Sequence, residues 1–108
     1  MYDEGLAERL SLLLRDEPRL VEKKMFGGFG LMIRGNIACG VIGDSLIVRV
    51  GPDAYGEAVR QPHARPFDFT GRPMKGWVFV DPDGFADDED LAAWVARGVA
   101  FAKSLPAK

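Results

Sequence analysis

The sequence predicts a small α+β domain: an antiparallel sheet with helices packed on one of its faces. Three observations carry this reading. Both ends of the chain place apolar residues at helical spacing, the middle switches to strand-like runs, and those runs follow one another across short gaps, as in a meander. With 108 residues, 47% of them hydrophobic and 28% charged, the chain suits one folded domain, and the disordered and collagen-like classes drop out.

The first helix is marked by Leu6, Leu10, Leu13 and Leu14, at i, i+4, i+7 and i+8, with Asp3 and Glu4 ahead of them at the favourable end of the helix dipole. Pro18 disfavours helical geometry at Glu17, so the helix should end before it. A further short strand is allowed at Lys23 to Phe26. Phe29, Leu31 and Ile33 then share one strand face, Gly35-Asn36 suits a tight hairpin turn, and Ile37, Cys39 and Val41 continue the return strand. Gly43-Asp44 makes the next turn. Beyond it Leu46, Val48 and Val50 point one way, while Ser45, Ile47 and Arg49 point to a wetter side.

Gly51-Pro52-Asp53 reads as the start of a short helix running to Val59 or Arg60, with proline at its first position and Gly56 weakening it by about 1 kcal/mol. Gln61 to Pro66 reads as a loop, Phe67-Asp68-Phe69 as a short strand, Thr70 to Pro73 as a turn and Gly76 to Val80 as a strand. The last helix has the clearest stripe: Leu91, Trp94, Val95, Gly98, Val99, Ala102 and Leu105, with Asp87 as its cap. The order is α-β-β-β-α-β-β-α, plus the optional strand at Lys23.

No motif for chemistry survives its context. Gly27-Gly28-Phe29-Gly30 lacks the third glycine and the following helix of a dinucleotide fingerprint, so these glycines read as permitting a bulge or a close backbone approach within a sheet. Asp81-Pro82-Asp83-Gly84 has its glycine too early for a calcium loop and reads as a turn. Gly43 to Ile47 sits in a hairpin and fails the nucleophile-elbow pattern. Cys39, the one cysteine, reads as a small buried hydrophobe, and His63, the one histidine, as a solvated or hydrogen-bonded loop side chain. An enzyme using Cys39 or His63 would need them as nucleophile and base, yet no third orienting group is evident. No metal or cofactor is expected.

Fourteen Lys plus Arg against sixteen Asp plus Glu give a net charge of −2, which argues against a domain built to neutralise phosphates. A modest basic excess nevertheless lies between residues 25 and 80. Beside Phe67, Phe69 and Trp77, the residues Arg65, Arg72 and Lys75 are therefore candidate contacts for a single-stranded nucleic acid, the alternative reading being a solvated rim. The acidic start carries no secretory signal, no apolar stretch approaches bilayer length, and a lone cysteine makes no intrachain disulfide. A cytoplasmic, non-membrane protein is expected.

The run Lys24-Met25-Phe26-Gly27-Gly28-Phe29-Gly30 resembles the opening motif of the TfoX N-terminal domain family, named for the competence regulators TfoX and Sxy. Ile37 to Val41, Leu46 to Val50, Pro66 to Phe69, and Met74 to Val78 with Leu91 and Trp94 extend the similarity over nearly the whole chain. The resemblance implies an α-β3-α-β2-α order similar to secretion-chaperone-like folds, a homodimer, and no catalytic residues. The competence regulators also carry a C-terminal helical domain, so this chain resembles their N-terminal domain standing alone. The expectation is a non-enzymatic regulatory or protein-interaction module whose partner is a protein, including a second copy of itself.

Overall fold

The computed structural model describes residues 2–25, 27–68 and 71–108. Helix α1 (Glu4–Leu13) is followed by four strands, β1 (Leu20–Met25), β2 (Gly28–Ile33), β3 (Asn36–Ile42) and β4 (Ser45–Arg49). A single helical turn, α2 (Tyr55–Ala58), leads to β5 (Ala64–Pro66) and β6 (Trp77–Val80); a 3-10 turn at Pro82–Gly84 then precedes α3 (Asp88–Ser104). The six strands form one antiparallel sheet in the order β1-β2-β3-β4-β6-β5. The α+β class is as the sequence predicts. The optional strand is present, starting at Leu20, so four strands stand before α2 where the family-derived order has three.

Local chemistry explains the elements. The Asp3 carboxylate accepts from the Leu6 N–H at 3.2 Å and caps α1, while the Asp3 N–H donates to the Gly43 carbonyl at 2.7 Å and pins the N-terminal segment to the sheet. Leu6, Ala7, Leu10 and Leu14 face the core; Leu13, on the rim of that stripe, is 44% exposed. α1, α2 and α3 bury their apolar sides in one cluster with Leu31, Cys39, Val41, Leu46, Val48, Val78 and Val80, so all three helices cover the same face of the sheet.

Several boundaries differ from the sequence reading. The first full hairpin turn is Arg34-Gly35, with φ of 53° and 83°, the positive pair that a two-residue turn demands. Asn36 instead begins β3, buried, its side-chain amide donating to the Pro106 carbonyl at 3.0 Å; a buried amide needs such a partner. A register shift between Leu31 and Met32 lets consecutive residues Ala38 and Cys39 both join buried clusters behind the sheet, which sends Ile37 to the opposite side with Ile47 and Trp77.

The short helix is only four residues long and lacks a side-chain cap, because the chain spends Pro52 to Ala54 in a turn after Gly51. β5 is Ala64–Pro66, on the sheet edge, where the missing N–H of Pro66 is tolerated; Phe67 follows the strand. Asp87 occupies the N-cap position of α3 without a side-chain capping bond, and Leu105 is its C-cap. Phe26, Phe69 and Thr70 lie outside the described residues.

Candidate functional site

The side of the sheet away from the helices is not the wet surface that alternation implies. Ile47 is 4% exposed, packed with Phe67 and Phe79 in a second apolar cluster flanked by Ile42 and Trp77. Phe67 stacks on Trp77 with centroids 5.7 Å apart, and the Arg65 guanidinium sits 4.5 Å from the centre of the Phe79 ring. The segment after β5 thus folds back over the β4–β6 part of this face.

Towards β1 the same face is thinner. Gly30 pairs with Gly40, so no side chains rise there, and Met25, Ile37, Ile47 and Trp77 surround the resulting hollow. The first strand of the glycine-rich run owes its composition to crowding: a methyl group at Gly28 would lie 2.1 Å from the Val41 carbonyl oxygen. This is the close backbone approach expected of that motif. Met25, Met32, Ile37, Ile42 and Trp77 are half-buried, and Val21 (53%) and Met74 (39%) are exposed, leaving an apolar row along an uncovered sheet face. The sequence reading missed this row. Its signal was present in runs that are apolar at successive positions, such as Val41-Ile42 and Met32-Ile33, which put apolar side chains on both faces of a strand.

The residues weighed for chemistry are scattered. Cys39 is fully buried in β3, and burial pushes its thiol up to about 12, far from the thiolate a nucleophile needs. His63 lies just before β5, exposed, with a left-handed φ of 69°. Three strand spacings separate β3 from β5, roughly 14 Å, so the two are not brought together. His63 does line an open cleft of about 400 Å³ with Asp83, Asp90, Trp94 and Arg97, but Cys39 is not part of it. Arg97 is already engaged there: it forms two hydrogen bonds to the Glu57 carboxylate, at 2.8 and 3.1 Å, and lies 5.1 Å from the Trp94 ring centre. These bonds hold the Glu57 carboxyl below its usual range and raise Arg97. Among the described residues no group of three His, Cys, Asp or Glu side chains is placed to hold a metal ion.

The three basic candidates also part company. Arg65 is bound to Asp81 at 3.0 Å and to the Ser45 hydroxyl at 3.3 Å, as a clamp between β5 and its neighbours. Arg72 and Lys75 are exposed on the turn before β6 and carry no ion pair among the described residues. Among the motif residues, Lys24 is exposed on the β1 edge, Met25 and Phe29 are half-buried, and Gly27 turns the chain with φ of 71°.

The family model described as the TfoX N-terminal domain matches residues 12–102. The chain belongs to the TfoX N-terminal domain family. The match runs from the end of α1 through nearly all of α3, so this TfoX N-terminal domain comprises the whole sheet and the helix that closes its core. Neither the curated proteins nor the solved structures gave a match. No helix among the described residues is long and apolar enough to cross a membrane.

Proposed function

We propose that this TfoX N-terminal domain is a non-enzymatic, regulatory protein-interaction module of the cytoplasm that docks a partner protein on the uncovered face of its sheet. The observation that carries this reading is the half-exposed row Met25, Met32, Ile37, Ile42 and Trp77, bordered by exposed Val21 and Met74. Scattered surface hydrophobics are ordinary, but a contiguous apolar strip on a sheet lacking a second layer favours a protein surface in contact with it. Three of the seven are methionines, whose unbranched side chains adapt to an irregular partner. A nucleic acid is less well supported, because Arg65 is spent on Asp81 and Ser45, and only Arg72 and Lys75 of the three carry no ion pair among the described residues.

A photo-crosslinking residue placed at Ile37 on the open face, with one at Ala96 on the exposed side of α3 as control, tests the reading in cells. The expected result is a discrete protein adduct from position 37, abolished by Met32→Asp, and none from position 96. Equal adducts from both positions, or none from position 37, would overturn it.

A further inference from the structure

Arg49 ends β4 on the uncovered side of the sheet. It stands opposite Trp77 in the ladder and two residues beyond Ile47, so alternation gives its side chain the same side as the Ile47 and Phe79 cluster. Its guanidinium reaches the end of the sheet, 5.1 Å from the Trp77 ring centre and 5.3 Å from that of Phe101 in the last turn of α3. Gly51 makes room for the second ring, since a methyl group there would lie 2.5 Å from it. No hydrogen bond or ion pair joins the Arg49 guanidinium to any described residue. The other half-buried arginines all have acceptors: Arg9 the Asp88 carboxylate, Arg34 the Lys103 carbonyl, and Arg97 the Glu57 carboxylate.

A guanidinium set against two rings has part of its freedom already removed, while its N–H donors stay unused by the protein, which suits it to a planar anion taken up bidentately. The surrounding charge favours an anion too. The Gly76 carbonyl accepts from the Val50 and Gly51 N–H groups at 2.8 and 3.0 Å, which holds Lys75 beside the end of β4, exposed and without an ion pair among the described residues. Trp77 belongs both to this cluster and to the apolar row, so an occupant of the row that reaches Trp77 meets a cation there. A nucleic-acid strand carries a charge at every residue and would lay further phosphates on the apolar side chains of Ile37 and Met25. A peptide can place one carboxylate at Arg49 and apolar side chains on the rest.

We infer that Arg49 determines specificity on the open face: the segment that docks there is apolar and carries an aspartate or glutamate whose carboxylate accepts from the Arg49 guanidinium. The inference rests on the open face as the docking surface and adds the charge that its occupant must bring.

A displayed library of random peptides, selected on the whole chain, provides the test, with circular dichroism to verify that each variant folds. The parent chain should enrich apolar peptides that contain Asp or Glu. Arg49→Met, which keeps an apolar contact with the rings, should enrich apolar peptides with no acid, and Arg49→Glu should enrich Lys or Arg in its place. Replacing the acid of a selected peptide by its amide leaves the protein untouched; it should weaken binding to the parent about tenfold and binding to Arg49→Met not at all, and added salt should shrink the difference. Met32→Asp, on the apolar row, should abolish binding of every selected peptide. Apolar peptides enriched without any preference for an acid overturn the inference and leave the docking face standing. Peptides indifferent to Met32→Asp, or no enriched peptide at all, overturn both. An Arg49-dependent affinity for labelled oligothymidylate that exceeds the affinity for the peptides overturns the inference in favour of a nucleic acid.

Discussion

Leu46 and Ile47 are neighbours on β4 and face opposite sides of the sheet. Leu46 is fully buried among side chains from the three helices and the sheet, whereas Ile47 is buried by Phe67 and Phe79, contributed by the chain around β5 and β6. Burial alone does not distinguish them, since both are under 5% exposed. The number of elements that depend on each does. The covered side joins the two ends of the chain, while the other side is a local cluster beside an apolar strip still open to solvent.

Truncation should expose that difference most strongly. Leu46→Ala is expected to cost about 2–5 kcal/mol, and Ile47→Ala nearer the low end of that range, because the smaller cluster at the surface can collapse into the space. Urea unfolding of both variants checks the order; equal losses would show that the fold depends on the open side as heavily as on the covered one. Next in size is Gly98→Ala. On an exposed helix this change gains about 1 kcal/mol, but here the added methyl would lie 2.1 Å from the Ala38 carbonyl oxygen, where α3 rests directly on β3. A net loss of about 1–3 kcal/mol is expected, read from the midpoint of thermal or urea unfolding; a gain would mean that α3 is free to shift away from the sheet.

The smallest effect belongs to the surface. Glu57 is exposed, its side chain about half accessible, and hydrogen bonding from Arg97 lowers its pKa below the ordinary 4.5. A carboxylate with a depressed folded-state pKa stabilises the protein above its unfolded value and loses that contribution as pH falls through the folded value. Glu57→Gln should therefore lower Tm slightly near neutrality and flatten its fall between about pH 6 and about pH 3, the two chains converging in acid, and added salt should shrink the difference. A Tm profile parallel to that of the parent chain would show that the link between α2 and α3 is inert.

Much of the fold could be read from the chain. Leu6, Leu10 and Leu14 on one helix and Leu91, Trp94, Val95 and Gly98 on the other are spaced for one buried stripe each, and that spacing is a local property. The glycine-rich run and Cys39 were legible for a similar reason: absence of a helix after the glycines, and a small side chain in mid-strand, restrict their roles. The turn at Arg34-Gly35 was misplaced by one residue, because Asn36 suits a turn equally well until the chain near Pro106 arrives to accept from its amide. The candidate site was the least legible part. Met25, Met32, Ile37 and Trp77 are distant in sequence, and the register shift at Leu31 and Met32 reverses the side on which Ile37 emerges.

By itself the sequence determined the class of the fold, the two long helices, the strand runs and the family, because side-chain period and turn chemistry act over a few residues. Only the tertiary structure decided which apolar residues were left over once the helices had chosen a side. That choice depends on strand register and on where the segment after β5 folds back. Both are set by contacts between residues far apart in the chain, and no local pattern encodes them.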